Sequence, residues 1–188
     1  MATYQAKSNA EKDLSSLRTA IETVIMLTAQ FQAVVQAPVD PTKVKEKDSI
    51  NALSLAHDAA TLIRAHSSKL SLLCINSPFT PTALTTVLRE VSSGPLPALA
   101  SAVELCAATT YSLAMRGELQ YRVSKILQEF GALVEEIPSD GSVLTESQRA
   151  GSATGQGKVN GKGIMSTTGV LWQACDSVID LSKQGLPN

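Results

Sequence analysis

Aromatic residues make up only 4% of the 188-residue chain, with a single Trp, and the apolar set is dominated by Ala and Leu. That scarcity excludes a core of the strand-forming kind, built from Val, Ile, Tyr and Phe, and favours helices. A surplus of charge is also missing: 16 basic side chains face 17 acidic ones, for a net charge of −1. No basic excess exists to release counterions from phosphates, so direct nucleic-acid binding is not expected. Cysteines number three (Cys74, Cys106, Cys175), odd and far apart. They fit small buried thiols in a reduced intracellular protein rather than a disulfide framework.

The chain also lacks a long apolar run. Its longest uncharged stretch, Leu70 to Leu88, is interrupted by Asn76, Pro78 and Pro81, so no membrane span is expected. The opening MATYQAKSNAEKD has no apolar segment of the secretory kind, which makes cytoplasm and nucleus the expected locations. What is present is 44% hydrophobic and 18% charged, a globular balance with enough chain for one real core.

Periodicity supplies the architecture. Ser8 with Glu11 forms a capping-box pattern, and Leu14, Leu17, Ile21, Val24, Thr28, Phe31 and Val35 follow at alternating threes and fours. This predicts a helix of about 27 residues, about 40 Å long, ended by Pro38 to Pro41. Asp40 as cap and Pro41 at the first helical position predict a second helix to about Cys74. It carries two seams: Leu53, Ala56, Ala60, Ile63, Ser67, Leu70, Cys74, and beside it Ala52, Leu55, Ala59, Leu62, His66, Leu73. Two seams place it between two neighbours. Thr80 and Pro81 start a short helix to about Val91. From Pro97 to Ile137 the pattern is helical throughout and reads as one long helix, with Gly117 a point of interruption.

Pro138 closes that helix, and residues 138–165 are rich in Gly, Ser and Thr with few large apolar groups. Such a stretch cannot offset its ordering entropy and reads as a flexible loop. A last helix over 166–185 carries Val170, Leu171, Ala174, Val178 and Leu181 on one face and packs back on a main bundle formed by residues 1–137. The fold class is therefore all-α, an antiparallel bundle of about five helices.

Chemistry-bearing constellations are sparse. Gly151 stands one residue too far from Gly157-Lys158 for a phosphate-binding loop, Val159 follows where Ser or Thr would hold magnesium, and no strand precedes it. His57 and His66 point to different faces of one helix, and no Glu-x-x-His pair occurs, so no metal, no cofactor and no enzymatic site are expected. Ser77-Pro78 and Thr80-Pro81 are minimal proline-directed phosphorylation motifs as well as helix-turn punctuation. Trp172, with Leu171 beside it, reads either as core or as the anchor of a protein contact.

The run from Ser166 through Leu171-Trp172-Gln173-Ala174-Cys175 to Asp176 resembles a segment of the cyclin-D-interacting (cyclin-D-binding) protein family, and Leu70 to Ile137 is similar more loosely. The chain then corresponds to an N-terminal portion of longer members. The resemblance implies a non-enzymatic helical adaptor that binds cell-cycle or transcription regulators, D-type cyclins and helix-loop-helix factors among them. It also implies a bundle similar to those of vinculin, α-catenin and talin. A cytoskeletal or junctional binding module of that type is the alternative function.

Overall fold

The computed structural model describes residues 2–38, 50–106, 111–146, 148 and 163–185, and all its regular elements are helices. The first, α1 (Ala2–Gln36), meets no Gly or Pro over 35 residues and so runs about 52 Å. It starts upstream of Ser8, which lies within the helix rather than capping it, because the Ala, Lys, Gln and Glu around it all favour helix. Leu17, Val24, Thr28 and Val35 are its buried stripe, while residues 7–12 are exposed and extend past its shorter neighbours.

The next helix, α2 (Ala52–Ile75), starts later than the proline signal implied. Asp40 and Pro41 lie outside the described residues, but Ile50 and Asn51 are not helical, and Asn51 is the cap. Its Oδ1 accepts from the N–H groups of Leu53 and Ser54, both at 3.0 Å, two of the donors that a helix start leaves unpaired. Every residue of the seam from Leu53 to Cys74 is buried. The second seam is incomplete. Leu62 is half-exposed and His66 partly so, because α3 (Pro81–Ser93) is only 13 residues long and cannot cover α2 from end to end.

The stretch expected as one helix from Pro97 to Ile137 is two. Helix α4 (Pro95–Leu105) ends at Cys106, and α5 (Leu113–Glu135) begins after Ser112, whose Oγ accepts from the Met115 N–H at 3.1 Å. Gly117 lies inside α5 and breaks nothing. Residues 107–110 lie outside the described residues; the serine cap at Ser112 starts α5, and no Pro or Gly occurs between the two helices.

The chain then reaches α6 (Ile164–Gly185). Within the stretch expected to be a flexible loop, residues 138–146 are largely exposed but tied to the bundle at two points. Leu144 is buried and its N–H donates to the Cys74 carbonyl at 2.9 Å, while Arg18 Nε donates to the Ser139 carbonyl at 3.1 Å. Gly141 makes the turn between them with φ of 88°, and an added Cβ there would press on Leu14 at 3.3 Å. Residues 149–162 lie outside the described residues.

The long helices form a closed ring. α1 packs on α5, α5 on α6, α6 on α2, and α2 on α4, with α3 and α4 closing back onto α1. Gly131 of α5 lets α1 approach at Thr28, where a Cβ would sit 3.4 Å from the threonine hydroxyl. The core is Leu, Ala, Ile and Val, with Phe130 its largest fully buried side chain.

Candidate functional site

The α6 sequence presents Leu171 and Trp172 about 100° apart around the helix, and the bundle divides them. Leu171 is fully buried, so as a surface contact it is corrected: its place on the apolar stripe makes it core. Trp172 falls at the edge between α6 and α2 and is 36% exposed. Its Nε1–H donates to Ser67 Oγ at 3.2 Å, and that hydroxyl donates to the Arg64 carbonyl at 2.8 Å. The Arg64 guanidinium lies over the indole, 5.2 Å from the ring centroid, and its Nε pairs with Asp176 Oδ1 at 3.2 Å. Both members of that pair are about half exposed, so water screens it to less than about 1 kcal/mol. Its work is positional: Trp172 is fixed between a hydroxyl and a cation with one side toward solvent.

Deeper along the same seam Ser71 Oγ and Thr168 Oγ1 meet at 2.5 Å. The pairs 64–176, 67–172 and 71–168 show that α2 and α6 run antiparallel in a single register. Met165, 55% exposed, stands two turns before Trp172 on the same side of α6. Between them on α6 lies Gly169, where an added Cβ would meet no atom within 4 Å. A mid-helix glycine costs about 1 kcal/mol against alanine, and no neighbour among the described residues requires one here. The surface is thus two large apolar groups, Met165 and Trp172, on either side of a notch.

Leu72, 54% exposed, is one wall of a separate open groove of about 520 Å³ along α2, lined by Ala65, Ser68, Lys69 and, at its end, Ser77 and Pro78. Ser77 is exposed there. Thr80 is not part of the groove lining. It stands at the start of α3 with its hydroxyl donating to the Pro78 carbonyl at 3.1 Å. Of the four residues singled out from sequence, Trp172 and Ser77 therefore flank the outer surface of α2, whereas Leu171 and Thr80 do not.

Groups with reactive potential are placed elsewhere. Cys74, Cys106 and Cys175 are free and buried, and burial pushes the thiols of Cys74 and Cys175 up to about 12. Burial also raises the Cys106 thiol, with the Arg116 charge opposing it. His57 sits beside Asp58 on the surface, and His66 Nδ1 lies 3.8 Å from Glu90 Oε2 between α2 and α3. Among the described residues, no three His, Cys, Asp or Glu side chains gather as metal ligands would, and no helix is long and apolar enough to cross a membrane.

Sequence reasoning missed one buried cation. Arg116, only 9% exposed, donates from Nη1 to the carbonyls of Val103 at 2.9 Å and Cys106 at 3.2 Å, closing the C-terminal end of α4. Arg at the fourth position of α5 looks like an ordinary surface residue until the α4–α5 join is known.

Residues 56–186, from the first turns of α2 to the end of α6, match the family described as Grap2 and cyclin-D-interacting, N-terminal. The chain belongs to this family. The matched region contains the Arg64–Asp176, Ser67–Trp172 and Ser71–Thr168 contacts between α2 and α6 and excludes α1. An uncharacterized protein of Schizosaccharomyces pombe is 25% identical over 190 aligned positions, which cover 99% of this chain and 51% of that protein. The chain spans about half the length of the curated relative it matches. No solved structure matches it.

Proposed function

We propose that this member of the Grap2 and cyclin-D-interacting family is a helical adaptor that binds a D-type cyclin through the α2–α6 surface, in the cytoplasm and nucleus. The observation that carries the reading is Trp172: a lone tryptophan, held in orientation by Ser67 and Arg64, about a third open to solvent, with exposed Met165 two turns away on the same side of α6. Pre-oriented aromatic anchors in apolar surroundings are the usual centres of binding energy. The Gly169 notch admits the backbone or a large side chain of a partner helix, which fits the helix-in-groove mode of recognition. The family description names a cyclin D as an interaction partner, which supports the choice of partner. Helix-loop-helix factors, the other partner class that the resemblance implies, offer amphipathic helices of the same kind and fall under the same reading. Phosphate on Ser77, at the end of the α2 groove, would add negative charge beside this surface.

The test is calorimetric titration of the chain with a purified D-type cyclin. Trp172→Ala and Met165→Asp should each weaken binding at least tenfold while the helical circular dichroism is retained. Absence of binding, or equal affinity for wild type and both variants, overturns the reading.

A further inference from the structure

The other described arginines are committed within the bundle. Arg18 donates to the Ser139 carbonyl, Arg64 lies over Trp172 and pairs with Asp176, and Arg116 closes the end of α4. Arg122 pairs with Glu118 and reaches the Ser177 carbonyl. Arg89, exposed on α3, is the exception. Among the described residues its guanidinium meets neither a carboxylate nor a carbonyl. It lines an open cleft of about 360 Å³ between α1 and α3.

The rest of that lining is hydroxyl, apart from Ala20. Helix α1 supplies Ser15, Ser16, Thr19 and Thr23, and α3 supplies Ser92. Thr19 and Thr23 donate to the carbonyls of Ser15 and Thr19, and Ser92 to that of Leu88, so these three protons are used within their own helices. Ser15 and Ser16 make no such bond among the described residues, and both O–H groups are free to donate into the cleft. The cleft therefore offers a planar fork of N–H donors and two hydroxyl donors, and no carboxylate lines it. Lys12, exposed and one turn before Ser15 and Ser16 on the same stripe of α1, adds a second positive charge at that end.

This lining selects one ligand chemistry. A metal ion needs carboxylate, imidazole or thiolate ligands, and none faces the cleft. An apolar group would find only Ala20 to pack on. An oxyanion fits: the guanidinium takes two of its oxygens side by side, and the serine hydroxyls take others. Because the donors come from two helices, a tetrahedral phosphoryl group uses them all, whereas a planar carboxylate is already satisfied by the guanidinium alone. Asp13 and Glu22 neighbour this stripe of α1 but do not line the cleft, and neither pairs with Arg89. Arg89 is exposed, so water screens the attraction and places the affinity in the weak, millimolar class.

We infer that the cleft between α1 and α3 is a binding site for a phosphate monoester, held by Arg89 together with the Ser15 and Ser16 hydroxyls. It shares no residue with the α2–α6 surface and does not depend on that surface's partner. Residue-resolved NMR titration of the full chain tests it, with inorganic phosphate and O-phosphoserine as separate probes and sodium chloride as the control at equal ionic strength. The expected result is saturable shifts at Ser15, Ser16 and the Arg89 side chain with both probes. Arg89→Met should weaken both at least tenfold while leaving the circular dichroism and melting temperature unchanged, since the side chain is exposed. Arg89→Lys keeps the charge but loses the fork, so its affinity should fall between the two. No saturable shift beyond the chloride control, or titrations that Arg89→Met leaves unaltered, overturns the inference. Binding of inorganic phosphate with O-phosphoserine excluded overturns the monoester as the ligand.

Discussion

Replacing Leu144 by Ala separates a packed strap from a solvated connection. Leu144 lies in a Gly- and Ser-rich stretch, but its side chain is only 7% exposed and joins the core. Large-to-small changes in cores cost about 2–5 kcal/mol, and a site at the rim of the bundle, free to collapse, belongs at the lower end, about 2 kcal/mol. The Leu144 N–H that satisfies the Cys74 carbonyl is a backbone group and survives the substitution, so the loss measures burial alone. For a chain of this size each kcal/mol moves the melting temperature by about 2–4 °C, giving an expected fall of about 4–8 °C. Urea denaturation followed by circular dichroism should show a lower midpoint at unchanged slope, since the surface exposed on unfolding hardly changes. A loss below about 0.5 kcal/mol, the scale of an ordinary surface change, would show that the segment does not pack.

Three further outcomes are expected. At pH 8 thiols pushed up to about 12 are ionised to roughly one part in ten thousand, so Cys74 and Cys175 should react with a disulfide reagent about a thousandfold more slowly than an ordinary thiol; fast labelling of the native chain would contradict their burial. Trp172→Phe removes the bond to Ser67 and weakens the Arg64 contact, for a loss of about 1 kcal/mol in urea denaturation; no change would mean the indole is not held. The Asp140 carboxyl is held below its usual 3.8 by the hydroxyl and N–H of Ser142. A depressed value means that the turn's stabilisation is complete above the ordinary carboxylate range and is lost as pH falls through the lowered value. Chemical shifts of Ser142 should therefore move only in strong acid, and a transition above the usual value would contradict the turn.

The helices and their buried faces were legible because each depends on periodicity alone. The seam from Leu53 to Cys74 is buried at every position predicted, and the three cysteines lie inside as their apolar seams require. What was not legible depends on contacts between distant segments. Asp40-Pro41 lies outside the described residues, and α2 takes its cap from Asn51 instead. The α4–α5 join has no Pro or Gly, and it is completed by Arg116 reaching back to Val103 and Cys106. Leu144 is a single leucine in a polar stretch, and its burial follows only from the end of α2 and the position of Leu14 beneath Gly141. Of the surface, Trp172 could be singled out because it is the chain's one tryptophan. Met165 and the Gly169 notch could not, since which side of α6 is left open is set by its register against α2.

Amide hydrogen exchange of the chain with and without a bound D-type cyclin tests the central claim most directly. Protection gained at residues 62–72 of α2 and 165–173 of α6, with α1 unchanged, is the predicted result. Protection confined to other helices, with the Trp172 region exchanging as in the free chain, would contradict it.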